Sequence, residues 1–195
     1  MDCQKLNQDI ENNGAVRIDG INQAAPDCIC EKYRMSQFSP NTVDNSENLA
    51  RFIFSPIHVD RKGRIKPSIF SQIFTTGCSI QRDGIATSNE LIDFTQKFLS
   101  GDDNRLWKGV LIAKSETVRK IVNSLKNQAI CVYDTAEMDN PAHAEMMISY
   151  NIAETDRAEL TARLYEVFDN QNPISPEKYR NGEIWQELPS DLKRS

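Results

Sequence analysis

The chain has 195 residues and a mass of 22.2 kDa, with 23 Lys and Arg against 28 Asp and Glu, a hydrophobic share of 39% and a mean hydropathy of -0.54. That length suits one domain whose core is large enough to fold without disulfides or a metal. The composition excludes a collagen, a coiled coil and a wholly disordered chain, and no run approaches the roughly 18 apolar residues of a membrane-spanning helix.

Residues 1–48 are rich in Asn, Gln, Asp and Ser, carry Pro26 and Pro40, and show no sustained apolar period. They read as an irregular N-terminal arm with at most a short strand at Val16–Ile18. Met1 to Lys5 lead into no apolar h-region, so a secretory leader is not expected.

A core domain is expected over 49–169. Leu49–Ser55 is apolar and stopped by Pro56, which predicts a strand. A basic loop follows and ends at Pro67; Ser68–Phe74 fits helix or strand, and Cys78–Gln81 predicts a second strand after Gly77. Thr87-Ser88-Asn89-Glu90 spells a capping box, opening a helix to about Ser100 with Leu91, Phe94 and Phe98 on one face. Trp107–Ala113 predicts a buried strand. Ser115 can cap a helix bearing Val118, Ile121, Val122 and Leu125, and Ala129–Tyr133 is the next strand. Asp156 with Glu159 forms a second capping box, before a helix with Leu160, Leu164, Val167 and Phe168 inward. From Asn170 onward Pro173, Pro176 and Pro189 predict an irregular C-terminal arm over 170–195, pinned by Tyr179 and Trp185. This order predicts a single α+β or mixed α/β domain with a central mixed sheet and about three helices. The strand-helix-strand units favour some parallel pairing.

Five cysteines is an odd number, and Cys78 and Cys131 lie inside apolar runs. Both predict free thiols and a reducing, cytoplasmic compartment. The Cys28-Ile29-Cys30 gap is too short for the usual zinc spacing, so no metal site is assigned.

Charge is unevenly spread. Residues 51–82 hold Arg51, Arg61, Lys62, Arg64, Lys66 and Arg82 against Asp60 alone, a net +5 inside a chain whose total is -5. The local surplus predicts either an anion site or a solvated basic loop, while the acidic remainder argues against wrapping duplex nucleic acid. A nucleotide or a short nucleic acid fits better. Arg51 lies within an apolar strand and Arg82 ends another, so each needs a partner: an internal carboxylate such as Glu145 or Asp134, or a phosphate held bidentately. Arg61, Lys62 and Arg64 flank Gly63 as a solvated turn. The two histidines, His58 and His143, sit in Pro-flanked, loop-like contexts. A loop histidine beside cations suits proton transfer on a phosphate ester, against the plainer reading of a surface or turn residue. Phosphate-loop, dinucleotide, nucleophile-elbow and zinc-protease signatures are absent.

The string from Leu49 to Arg82, LARFIFSPIHVDRKGRIKPSIF followed by GCSIQR, together with NPAHAE at Asn140 to Glu145, resembles a group of small uncharacterised bacterial proteins. These share an Arg-bearing first strand, a Lys-Pro-x-x-Phe segment, a Ser-x-x-Arg strand and a late Pro-x-His-Ala element. Cys78, Gln81 and both terminal arms depart from that pattern. The resemblance implies that Arg51, Lys66, Ser79, Arg82 and His143 form one constellation, and it implies no reaction.

The leading expectation is a cytosolic bacterial enzyme or sensor with one anion pocket. Arg51 and Arg82 would clamp a nucleotide or nucleic-acid phosphate, Lys66 and Ser79 would add contacts, and His143, oriented by Glu145, would exchange a proton. Transfer from a dinucleotide such as NAD, in the style of ADP-ribosyltransferases, is compatible by chemical analogy. The alternative is a non-catalytic interaction module or accessory subunit, docking a protein partner through the basic loop and the Trp185-bearing arm. No cofactor is named by the sequence, and no membrane association is expected.

Overall fold

Five strands, β1 (Asn48–Ser55), β2 (Cys78–Asp83), β3 (Leu106–Lys114), β4 (Ile130–Asp134) and β5 (His143–Ile148), form one sheet in the order β3-β1-β2-β5-β4. The computed structural model describes residues 2–12, 17–99, 105–149, 152–168 and 173–181. Every pairing is antiparallel, so the mixed sheet expected from strand-helix-strand units is not formed. The cause is β5, a strand where the sequence predicts a loop. It turns back from β4 through residues 135–142 and inserts between β4 and β2, where a parallel neighbour would otherwise have fitted.

Six α-helices occur among the described residues rather than about three: α1 (Cys3–Asn12), α2 (Arg17–Ala24), α3 (Ser88–Leu99), α4 (Ser115–Arg119), α5 (Arg157–Val167) and α6 (Pro176–Arg180). Pro67–Phe74, the ambiguous stretch, is a 3₁₀ segment. The capping box of α3 forms as the sequence predicts: the Thr87 N–H donates to Glu90 Oε2 at 2.7 Å and the Glu90 N–H to Thr87 Oγ1 at 3.3 Å. That of α5 does not, because Asp156 Oδ2 accepts instead from the Ser124 hydroxyl at 2.9 Å. Helix α4 stops at Arg119, well short of Leu125. Asn123 Oδ1 accepts from the Leu125 and Asn127 N–H groups, each at 3.0 Å, and this local turn outcompetes a further helical turn.

On one face of the sheet Leu49, Ile53, Ile80, Leu111, Val132 and Met146 meet Ile69, Phe70 and Ile73 of the 3₁₀ segment, Leu160 and Leu164 of α5, and Phe168. The Phe70 and Phe168 ring centroids lie 5.0 Å apart. The other face is covered at its two ends only. Toward β3, Ala50, Phe52, Phe54, Val110 and Ile112 lie under Leu91 and Ile92 of α3 and Tyr179 of α6. Gly109 has φ +139, and a Cβ there would meet the Ile174 carbonyl, so only glycine lets residue 174 bridge to Val110. Toward β4, Cys131, Tyr133 and Met147 lie under Ile10, Ile21, Cys28 and Met35.

The second of these clusters overturns the reading of the N-terminal segment. It is helical at both α1 and α2 and is covalently fixed by disulfides Cys3–Cys30 and Cys28–Cys131, so Cys131 is not a free thiol. Cys78 is free and buried. Of the Val16–Ile18 strand, Arg17 and Ile18 are helical and Val16 lies outside the described residues. The C-terminal segment is likewise ordered at residue 174 and in α6, whereas Trp185 lies outside the described residues. No helix among the described residues is long and apolar enough to cross a membrane.

Candidate functional site

Between the two end clusters the sheet presents polar side chains. Alternation along each strand puts Ser79 and Gln81 of β2 and His143 of β5 on the same face as Ala50, Phe52 and Phe54 of β1. Register aligns Ala50, Gln81 and His143 in one row across the three strands. Ala50 and Ser79 are small beside Phe52 and Phe54, which leaves a depression. Phe94, Thr95 and Lys97 of α3 and Glu137, Asp139 and Asn140 of the β4–β5 turn wall it in. The result is a cavity of about 850 Å³, within the size range of small-molecule sites.

One end of the cavity lies where the sheet splits. β1 pairs with β2 only through Asn48, Leu49 and Ala50, although it pairs with β3 along its whole length. Beyond Ala50 the facing backbone groups of β1 and β2 are bridged by side chains. Arg51 Nη1 donates to the Ser79 carbonyl at 2.6 Å, and Nη2 donates to the Ile69 carbonyl at 2.9 Å and to Gln72 Oε1 at 3.3 Å. His58 Nδ1 accepts from the Phe54 N–H at 3.1 Å, while the Phe52 backbone provides a further hydrogen bond. Arg51 thus does for β2, and His58 for β1, what a neighbouring strand would do.

The charges that act on His58 among the described residues are cations. Burial and the nearby Arg51, Lys66 and Arg105 push His58 down to about 3, so it is neutral and held as a hydrogen-bonding plug. Arg51 is 6% exposed, and all its partners are neutral oxygens. Among the described residues no carboxylate pairs with it, and its Nε is buried without an acceptor. A buried cation without a counter-charge is costly, which distinguishes Arg51 from a structural ion pair.

His143 is in a strand rather than the loop expected for it. Its Nδ1 lies 3.0 Å from the Thr135 carbonyl and 3.0 Å from the Thr135 hydroxyl. A carbonyl only accepts, so the proton sits on Nδ1 and Nε2 is left as an acceptor at the cavity.

Arg51, Ser79 and His143 therefore line one cavity. Arg82 does not join them. It is fully buried on the opposite side of the sheet, where Nε and Nη2 grip Glu47 bidentately, each at 2.8 Å. Nη1 reaches Asp134 Oδ1 at 3.3 Å, and the Asn41 and Thr42 carbonyls and the Asn41 side chain take the remaining bonds. Of the two acids proposed as partners, Asp134 is Arg82's. Burial outweighs the arginine and pushes Asp134 up to about 6. Lys66 is also absent from the cavity lining: its Nζ donates to the Pro56 and Ile57 carbonyls at 2.8 and 3.0 Å and pins the loop that carries His58. Glu145 sits on the same face of β5 as His143, but Thr135 orients the ring. Glu145 lies against Gly77, whose φ of +98 and lack of a Cβ make room for it; a Cβ would stand 3.1 Å from the carboxyl carbon.

The sequence reading assigned no role to Gln81, Asn140, Phe94, Lys97 or Arg105, all of which line the cavity. Gln81 had a legible signal: with Ser79 it makes one face of an otherwise apolar strand polar. Arg105 had none, because its position follows from a loop. His58, Asp60, His143 and Glu145 do not gather as metal ligands, and no group of three or more His, Cys, Asp or Glu does so among the described residues. Comparison of the chain with protein-family models, curated proteins and solved structures finds no match.

Proposed function

We propose that the cavity binds a nucleotide-class ligand, its phosphate at the Arg51 and Arg105 end, and that Nε2 of His143 exchanges a proton with it. The observation that carries this reading is Arg51, a cavity-lining guanidinium, nearly closed to solvent, with no carboxylate partner among the described residues. An anion supplies the missing counter-charge, and a phosphate oxygen can take the Nε hydrogen that no protein group accepts. Phe52, Phe54 and Phe94 provide apolar walls against which a base can stack. The phosphate clamp consists of Arg51 with Arg105, in place of Arg51 with Arg82.

The chemistry open to such a site is proton transfer. His143 in its fixed tautomer accepts a proton from a water or ligand hydroxyl, and the cationic end stabilises negative charge that develops on a phosphate. Transfer of an ADP-ribosyl group from NAD remains a compatible case, supported by that charge arrangement alone. The disulfides weigh against the cytoplasmic placement expected from the cysteine count: such bonds persist in oxidising compartments, and our reading places the folded protein in one.

A thermal-shift screen of nucleoside phosphates, dinucleotides and short oligonucleotides tests the reading. A ligand at a hundred times its Kd adds about 2.7 kcal/mol to the native state, a rise of roughly 5–10 °C for a chain of this size. If none of these compounds moves the transition, the cavity is not a nucleotide site. The exposed turn carrying Arg61 and Lys62 then supports the alternative of a docking module.

A further inference from the structure

The two ends of the cavity differ in hydrogen-bonding sense. At the β1 side the groups are donors and cations. At the β5 side acceptors predominate: Nε2 of His143, whose tautomer is fixed by Thr135, and the carboxylates of Glu137 and Asp139, the latter paired with Lys97 Nζ at 3.7 Å. Beside them Gln81 and Asn140 each keep an amide oxygen buried with no donor among the described residues. Asn140 is 8% exposed, yet its backbone alone holds the turn, by mutual N–H to carbonyl bonds with Glu137 at 3.0 and 3.1 Å. Its side chain is therefore not needed for that turn. Two amide oxygens without a donor cost on the order of 1–3 kcal/mol each; Gln81 is the direct cross-strand neighbour of His143, and Asn140 lies three residues before it in the turn.

We infer that this end reads a base edge presenting adjacent N–H donors, so that the ligand is a guanine nucleotide. The inference rests on the anion reading above and adds the identity of the base. Guanine's Watson–Crick edge carries a ring N–H beside an exocyclic amine, which together offer three hydrogens to the acceptors of Gln81, Asn140 and His143. The terminal torsions of Asn and Gln are broad, so an entering donor draws the amide oxygens toward it. The carboxamide nitrogens then face guanine's carbonyl, the one acceptor on that edge. Adenine presents an amine next to a ring nitrogen that accepts, which would set acceptor against acceptor. Hypoxanthine keeps the ring N–H and lacks the amine, leaving one of the site's acceptors unmet.

Calorimetric titration of the full chain, disulfides intact, with guanosine, inosine and adenosine monophosphate and with inorganic pyrophosphate separates the possibilities. Guanosine monophosphate is expected to bind at least tenfold more tightly than either analogue. In the double variant Gln81→Met and Asn140→Leu its advantage falls below threefold, while pyrophosphate affinity is unchanged. Equal affinity for the three nucleotides in the native chain overturns the inference and leaves the anion site standing. No binding of any of the four compounds overturns both. A guanine preference that survives the double variant overturns the assignment to Gln81 and Asn140. Should that variant fail to fold, the native chain's ranking of the three nucleotides decides the base by itself.

Discussion

Replacing Arg82 with methionine separates a structural arginine from a ligand-binding one. The methionine fills much of the aliphatic space but withdraws every hydrogen bond the guanidinium makes. Glu47 loses a bidentate partner, its side chain being 15% exposed, and Asp134, at 1%, loses its only ion-pair partner among the described residues. The Asn41 and Thr42 carbonyls lose their donor as well. Breaking a buried ion pair from one side costs about 3–5 kcal/mol, and Asp134, already pushed up to about 6 with the arginine in place, is pushed further up without it and responds by taking up a proton. That keeps the loss within this range rather than above it. For a chain of this length such a loss lowers the thermal midpoint by roughly 6–20 °C. Urea unfolding at pH 7 measures it directly, and titration of the still-folded variant with the nucleotide found by screening measures the rest: affinity within threefold of the native chain. A stability loss below about 1 kcal/mol, accompanied by a tenfold loss of affinity, would refute the placement of Arg82 outside the site.

Three further outcomes follow from the titrating groups and the cysteines. His58 is depressed to about 3 from an ordinary 6.5, so its neutral form is favoured by folding. The stability it contributes is complete above pH 6.5 and is lost as pH falls toward 3, by roughly 5 kcal/mol at full extent. Asp134 acts oppositely, since its raised value adds stability as pH drops through about 6, complete below 3.8. His58→Gln removes the first effect, so urea midpoints of the variant should fall less steeply than those of the native chain between pH 6.5 and 3; parallel curves would show that His58 does not titrate as described. The disulfide Cys28–Cys131 spans a sequence separation of 103, and replacing both cysteines with serine should cost 2–5 kcal/mol. Alkylation of the unreduced, denatured chain should label Cys78 alone, and mass spectrometry showing more than one labelled cysteine would exclude the disulfide pattern.

Local signals located β1, β2, β3 and β4 within one or two residues, and the capping box placed the start of α3, because apolar runs and side-chain caps act over a few residues. β5 escaped for a physical reason. Its alternation is brief: His143, Ala144, Glu145 and Met146 alternate polar with apolar, but Met147 and Ile148 break the period and Pro141 just before it reads as a turn, while burial of His143 to Met147 hides two polar side chains that a sequence places at the surface. The N-terminal helices escaped because their burial depends on disulfides to Cys30 and Cys131, contacts no local pattern reveals. For the site, residue type singled out Arg51, Ser79 and His143. It could not separate Arg51 from Arg82, since which guanidinium meets a carboxylate is decided by Glu47 and Asp134, far away in the chain.

The split between β1 and β2 joins these threads. A continuous ladder would have closed the sheet with backbone hydrogen bonds and left no room for a guanidinium. By pairing at only three residues and then diverging, the two strands create backbone groups that side chains must satisfy. Lys66 ties down the loop that delivers His58, and His58 covers the Phe52 to Phe54 edge. Arg51 closes the other side through Ser79 and Ile69. Filling a gap in the sheet requires only hydrogen-bond donors, which a neutral side chain could provide. An arginine adds a charge that the gap does not need and that no described carboxylate pairs with. The net +5 segment gathers this cation at a cavity wall while the rest of the chain carries the negative excess, and that arrangement has a purpose if the balancing charge arrives with a ligand.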